Sequence, residues 1–232
     1  MEHIKRKKYK AVFFDLDHTL WDFDKNSWLA FTSIFLKNKI GVEMEQFLQA
    51  YTPINANYWK LYRENKVSQE ELRYGRLKET FSALNVVVSD EQIDFISTDY
   101  IDFLPRNNHL LEGTVELLEY LKPNYDLHII TNGFKTVQFL KMKNSGILDF
   151  FKTITTSEDA GVKKPHPLIF EKALQDAKAS VAESVMIGDN VEADILGAKE
   201  IGMRAILYNY YGEPCLVDCP QVLKMKEIEV YL

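Results

Sequence analysis

The chain has 232 residues and a mass of 27.0 kDa, with 46% hydrophobic, 27% charged and 12% aromatic residues. That composition excludes a disordered chain and fits one large domain, or one domain carrying an insertion. Lys and Arg number 28 against 34 Asp and Glu, a net charge of −6, which argues against a broad nucleic-acid-binding surface but not against a small anionic substrate met by a local cation. Cys215 and Cys219 are too few for a disulfide framework, and no histidine stands near them at zinc-ligand spacing. They read as free thiols in a reducing compartment.

In chain order, Lys5, Arg6, Lys7, Lys8 and Lys10 look like the start of a signal peptide, but only Ala11 to Phe14 follow before Asp15. The basic stretch is therefore expected to be a solvated lead-in, and a cytoplasmic protein follows. No apolar run approaches the roughly 20 residues a membrane helix needs. Ala11, Val12, Phe13 and Phe14 read as a strand buried on both faces. From about Asp24 to Leu104 the texture is helical, with apolar residues at helical spacing such as Trp28, Phe31, Ile34 and Phe35. A brief Val86, Val87, Val88 is the sole hint of a strand there.

After Pro105 the pattern alternates. A helix is expected from Thr114, a plausible N-cap, to about Leu121. A strand at 127–130 ends at Thr131, and a helix over 134–145 is closed by Gly146. A strand at 151–155 precedes a helix over 168–177, entered through Pro165 and Pro167. A strand at 185–187 ends at Gly188 and Asp189, a helix over 193–201 is closed by Gly202, and 205–207 is a last strand. Strand–helix alternation with short connections implies an α/β fold, a parallel sheet doubly wound with helices on both faces. The helical block is then an inserted all-helical cap, residues 22–104, between two parts of the α/β core, 1–21 and 105–232.

Ligands of open parallel sheets bind beyond the carboxyl ends of the strands. Asp15, Asp17 and Thr19 follow the first strand, Thr131, Asn132 and Gly133 the second, Lys163, Lys164 and Pro165 lie after the third, and Asp189, Asn190 and Asp194 follow the fourth. Taken singly, each has an ordinary structural reading: a solvated strand end, a turn residue, a surface lysine, a helix cap. Together they put several acids, a hydroxyl and a lysine on one edge of the sheet. Carboxylates crowded in one cleft call for a hard dication, and Mg²⁺ is usual when phosphate oxygens complete its shell. One carboxylate can attack in line to give an acyl-phosphate. A second can protonate the leaving oxygen and then activate water.

This pattern is similar to that of the haloacid dehalogenase-like (HAD) hydrolase superfamily. Asp15-Leu16-Asp17-His18-Thr19-Leu20 resembles its first motif, Thr131-Asn132-Gly133 its second, Lys164-Pro165 its third and Gly188-Asp189-Asn190-Val191-Glu192-Ala193-Asp194 its fourth. The resemblance implies a Rossmann-like core, with Asp15 as nucleophile and metal ligand. Asp17 would be general acid/base, with its carbonyl on Mg²⁺. Thr131, helped by the Asn132 backbone, would bind the phosphoryl group, and Lys164 would steady both nucleophile and phosphoryl charge. Asp189 would hold the metal, and Asn190 and Asp194 would act at one remove. The insertion resembles a C1-type cap that admits small substrates. The name-giving dehalogenases lack the second acid, so Asp17 favours a phosphatase.

Asp17 to Asp22, Thr131 to Phe134 and Leu72-Arg73-Tyr74-Gly75-Arg76 also resemble a branch of nucleoside 5′-monophosphate phosphatases, some preferring pyrimidines. Trp28, Trp59, Tyr62 and Tyr74 would be stacking candidates in such a cap, and Arg63, Arg73 and Arg76 candidates for a ribose or second charge. The competing reading makes the aromatics cap core and the arginines solvated or paired. His18 is expected to pack rather than act as a base. A sugar-phosphate phosphatase and a phosphomutase are the alternative enzymes of this architecture. A phosphate-sensing binding module is the non-enzymatic alternative, but it would not need the acid at Asp17. The expected partner is thus a small phosphorylated metabolite, with no nucleic-acid polymer and no membrane.

Overall fold

Ala11–Phe14 form strand β1, and all four side chains are at most 1% exposed, as an apolar run in the middle of a two-sided sheet requires. This computed structural model describes residues 9–232, so Lys5, Arg6, Lys7 and Lys8 lie outside the described residues. Five more strands follow: β2 (Asp126–Thr131), β3 (Phe151–Thr156), β4 (Ser184–Gly188), β5 (Arg204–Tyr208) and β6 (Gln221–Val222). Among the described residues they form one sheet in the order β3-β2-β1-β4-β5-β6, parallel at every pairing. The chain leaves β1 for β2 and β3 on one side, then crosses to β4, β5 and β6 on the other. The order therefore reverses between β1 and β4, which opens a crevice at their carboxyl ends.

Four helices form the segment inserted after β1: α1 (Phe23–Asn38), α2 (Met44–Arg63), α3 (Gln69–Ala83) and α4 (Asp90–Phe103). Ser68 with Glu71 and Ser89 with Gln92 form capping boxes that fix where α3 and α4 begin. Their interior is aromatic. Phe31 stacks on Tyr100 at 4.4 Å and meets Phe47 edge-on at 4.8 Å, and Phe35 meets Phe47 at 4.7 Å. Each such buried ring contributes roughly 1.5–3 kcal/mol over an exposed one. Val86, Val87 and Val88 form no strand, and Val87 is 98% exposed.

The chain forms two compact units, one of the described residues up to Phe23 together with His109–Leu232, the other Asp24–Asn108. These divisions fall two to four residues beyond the boundaries read from the sequence. Both crossing segments stay tied into the sheet unit, because Asp22 N donates to His109 O at 3.1 Å and Leu111 N to Leu20 O at 3.0 Å.

The sheet unit continues with α5 (Thr114–Leu121), α6 (Lys135–Asn144), the single turn α7 (Ser157–Ala160) and α8 (Pro167–Ala177). A π-helical turn, Val191–Leu196, then runs into α9 (Gly197–Glu200). Phe13, Ile130, Ile169, Phe170, Met186 and Ile195 are fully buried in one core cluster. Thr114 is not the N-cap of α5. Gly113 holds that position at φ +82°, which favours glycine, while the Thr114 hydroxyl donates to Leu20 O. The helix expected from Ala193 begins at Val191, with the Asn190 side chain accepting from Ala193 N. The turn α7, the two-residue β6 and the 3₁₀ segment Met225–Tyr231 have no counterpart in the sequence reading, being too short for a periodicity to form. Cys215 and Cys219 are free thiols. No helix among the described residues is long and apolar enough to cross a membrane.

Candidate active site

The crevice between β1 and β4 collects the polar residues at the strand ends. Asp15 directly follows β1, and its N–H still continues the ladder, donating to Ile187 O at 2.9 Å. The chain then coils into a tight loop, with Leu16 O accepting from Leu20 N and Trp21 N at 2.9 Å each. His18 adopts φ +61° there, a left-handed conformation that L side chains rarely take. The loop brings Thr19 back over β4, where its hydroxyl donates to Asp189 Oδ1 at 3.1 Å. The His18 ring packs at 5.0 Å from Phe23 and 5.5 Å from Tyr210.

Lys164 is the hub. It is 2% exposed, and its ammonium donates to Asp15 Oδ1 at 2.6 Å, Asp194 Oδ1 at 2.6 Å and Ile130 O at 2.8 Å. Those three bonds use its three protons. Its backbone is clamped as well: Lys164 N donates to Asn132 Oδ1 at 2.8 Å, and Asn132 Nδ2 donates to Lys164 O at 2.9 Å. Asn132 thus fixes the lysine loop with its side chain, a contact that motif reading does not show. Asp194 Oδ2 accepts from Asn190 N at 3.0 Å, so the π-helical turn aims this carboxylate back at the lysine. A Cβ on Gly188 would collide with the Asp194 carboxylate, so glycine permits that close approach.

A second cluster faces it across the first-motif loop. Asp17 Oδ1 accepts from Lys141 Nζ at 2.7 Å, and Asp17 Oδ2 from Gln138 Nε2 at 3.1 Å. The same Gln138 Nε2 donates to Thr131 Oγ1 at 2.7 Å, and Thr131 Oγ1 also accepts from Gly133 N at 3.1 Å. Lys141 and Gln138 are buried on α6, and neither was picked out from the sequence. A glutamine and a lysine three apart, on a helix face otherwise holding Val137 and Met142, were the available signal.

Carboxylate oxygens of Asp15, Asp189 and Asp194 all lie within 4.8 Å of one another. Burial raises the Asp15 carboxyl well above the usual carboxylate range; Lys164 opposes this and the neighbouring aspartates add to it. Asp189 is pushed up to about 6, first by burial, with His18 opposing and Asp194 adding. At Lys164 burial works against the charge, but Asp15 and Asp194 outweigh it and the ammonium is held charged. One lysine does not neutralise three carboxylates. Their surplus charge and all-oxygen donors fit a hard divalent cation.

The model of the haloacid dehalogenase-like hydrolase family matches residues 9–202. The chain belongs to this family. The pyrimidine 5′-nucleotidase PynA of Streptococcus pneumoniae is 34% identical over 87% of this chain and 84% of its own. The pyrimidine 5′-nucleotidase YjjG of Escherichia coli is 32% identical over 87% of each. The HAD-hydrolase YfnB of Bacillus subtilis, solved bound to magnesium, superposes with a TM-score of 0.88 at 26% identity, over 97% of this chain and 99% of that one.

In this HAD-like hydrolase the sequence-selected residues of the α/β unit thus converge in two linked clusters, whereas those of the helical unit scatter. Arg76 is buried inside that unit, 5.1 Å from the Tyr100 ring centroid and 5.8 Å from that of Tyr51, donating to Asn55 Oδ1 at 2.8 Å. Its cation–π contacts make it part of the aromatic core. Arg73 is half-buried on α3, and Trp59 packs edge-on against Tyr62 at 5.7 Å. The Tyr74 hydroxyl donates to Asp90 Oδ1 at 2.5 Å. Trp28, 38% exposed, keeps an uncovered face.

Proposed function

We propose that this HAD-like hydrolase is a Mg²⁺-dependent phosphomonoesterase that converts a nucleoside 5′-monophosphate to nucleoside and phosphate through an aspartyl-phosphate on Asp15. The observation that carries the reading is the contrast between two carboxylates two residues apart. Asp15 is buried against Lys164, whereas Asp17 is held by Gln138 and Lys141 at the edge of the site. Carboxylates in separate environments take separate roles. The nucleotide assignment is supported by the likeness to PynA and YjjG over most of the chain.

In the first step an Asp15 oxygen forms a bond to phosphorus as the bond to the leaving oxygen breaks, and Asp17 gives that oxygen its proton. In the second, the Asp17 carboxylate takes a proton from water, whose oxygen bonds to phosphorus as the Asp15–phosphorus bond breaks. Lys164 keeps Asp15 oriented and offsets the charge on the phosphoryl group. Thr131 Oγ1 already accepts two hydrogen bonds, which leaves its own hydrogen as a donor for a phosphoryl oxygen. Asp15, Asp189 and the Asp17 carbonyl would hold Mg²⁺, which supplies Lewis-acid neutralisation of phosphoryl oxygens. Asp194 and Asn190 act through Lys164. The helical unit, Asp24–Asn108, would serve as a cap, with Trp59 and Arg73 as its candidates for substrate specificity. Free Cys215 and Cys219 fit a cytoplasmic enzyme.

The test is phosphate release, with Mg²⁺ and with chelator, across nucleoside monophosphates and sugar phosphates. Mg²⁺-dependent release concentrated on nucleotides is expected. Release only from sugar phosphates would overturn the substrate assignment and keep the chemistry. No release from folded protein would overturn both.

A further inference from the structure

We propose that Lys141 and Gln138 are positioning residues that lock the Asp17 carboxylate for proton transfer and tie it to the phosphate-binding hydroxyl of Thr131. This inference rests on the reading of Asp17 as the general acid/base. A carboxylate on a short side chain normally rotates about its last bond. Here both oxygens are held, Oδ1 by the Lys141 ammonium at 2.7 Å and Oδ2 by the Gln138 amide at 3.1 Å. Lys141 and Gln138 stand three residues apart on one face of α6, so a single rigid element sets both contacts.

The orientation of the amide is dictated by its neighbours. Nε2 serves Asp17 Oδ2 and Thr131 Oγ1, while Oε1 is buried without a hydrogen-bond partner. Turning the amide over would put Oε1 against the Asp17 carboxylate, acceptor against acceptor, and lose that bond. The structure thus leaves one buried acceptor unsatisfied in order to aim the amide N–H groups at Asp17 and Thr131. A Cβ on Gly133 would reach 2.5 Å from Gln138 Nε2, so the second-motif glycine leaves room for this amide. Lys141 is similarly constrained: its side chain is 3% exposed, and its ammonium sits 4.4 Å over the Trp21 ring. A buried ammonium beside an indole face has little freedom to leave its carboxylate.

General acid catalysis matters for a poor leaving group and little for a good one. The test is therefore kcat/KM, which reports phosphoryl transfer to Asp15, for a nucleoside 5′-monophosphate and for p-nitrophenyl phosphate, with K141M, K141Q, K141R and D17N. Acid catalysis supplies about 10²- to 10⁴-fold, so K141M and K141Q should lose roughly 10- to 100-fold on the nucleotide and far less on the aryl phosphate. K141R, which keeps a cation, should recover most of the nucleotide rate. D17N should show the same selectivity, more strongly. Equal losses on both substrates in K141M and K141Q, with no rescue by K141R, would reduce Lys141 to a structural ion pair and overturn the proposal. If D17N itself shows no leaving-group selectivity, the acid assignment fails, and the positioning role with it. Activity on p-nitrophenyl phosphate certifies folding in each variant, and K141R covers the case in which the uncharged variants do not fold.

Discussion

Replacing Lys164 with methionine removes one buried cation and keeps most of the side-chain volume. The ammonium is 2% exposed and joins Asp15, itself 8% exposed, to Asp194, which is 1% exposed. Without it two buried carboxylates face each other with no counter-charge. Removing one partner of such a cluster costs about 3–5 kcal/mol. For a protein of this size that corresponds to a fall in Tm of roughly 6–20 °C. Burial raises the Asp15 carboxyl, which here loses the opposing influence of Lys164, so the variant should be weakest at neutral and alkaline pH and recover as falling pH protonates Asp15. Adding Mg²⁺ should return part of the loss, about 2.7 kcal/mol at a hundredfold excess over its Kd. The assay is thermal melting of K164M with and without Mg²⁺ from pH 5 to pH 8. A Tm within about 2 °C of the parent at pH 8 without metal would refute the view that this lysine neutralises the site.

D189N should shrink the Mg²⁺-induced rise in Tm, because Asp189 is one of the three clustered carboxylates; an unchanged rise in a metal titration would remove it from the ligand set. G188A would push a methyl group into the Asp194 carboxylate and disturb its contact with Lys164, so turnover should fall more than tenfold while circular dichroism stays near the parent. His128 is buried in β2 against Phe13, and burial lowers its pKa to about 4 from 6.5. The unfolded chain therefore binds the extra proton between those values. The stability linked to His128 is full above about pH 6.5 and is lost as pH falls towards 4. Urea unfolding of H128F should show a weaker decline across that window.

Much of the architecture was legible because the local signals agreed. The run from Ala11 to Phe14 is too apolar and too short for anything but a central strand, and Gly146 and Gly202 end their helices at φ +72° and +80°. The strand-end residues were legible for the same reason, since a doubly wound sheet sends every carboxyl end to one edge. Lys141 and Gln138 were not, because they lie mid-helix and reach the site only through tertiary packing, with Lys141 standing 124 residues from Asp17. Asn132 was picked out, but for its backbone, since nothing local to the second motif reveals that its amide clamps the Lys164 peptide. In the helical segment, Arg76 looks the same in sequence whether it meets a substrate or three neighbours of its own core.

The central claim is that phosphate passes through a covalent bond to Asp15. Acid-quenched D17N, sampled during turnover of p-nitrophenyl phosphate and digested for mass spectrometry, tests it most directly. This variant lacks the base for the second step and has a leaving group that needs no acid for the first. The expected result is one phosphoryl group on the peptide carrying Asp15, absent when D15N is introduced as well. A phosphoryl group on another peptide, or steady turnover with no adduct at any time, would contradict it.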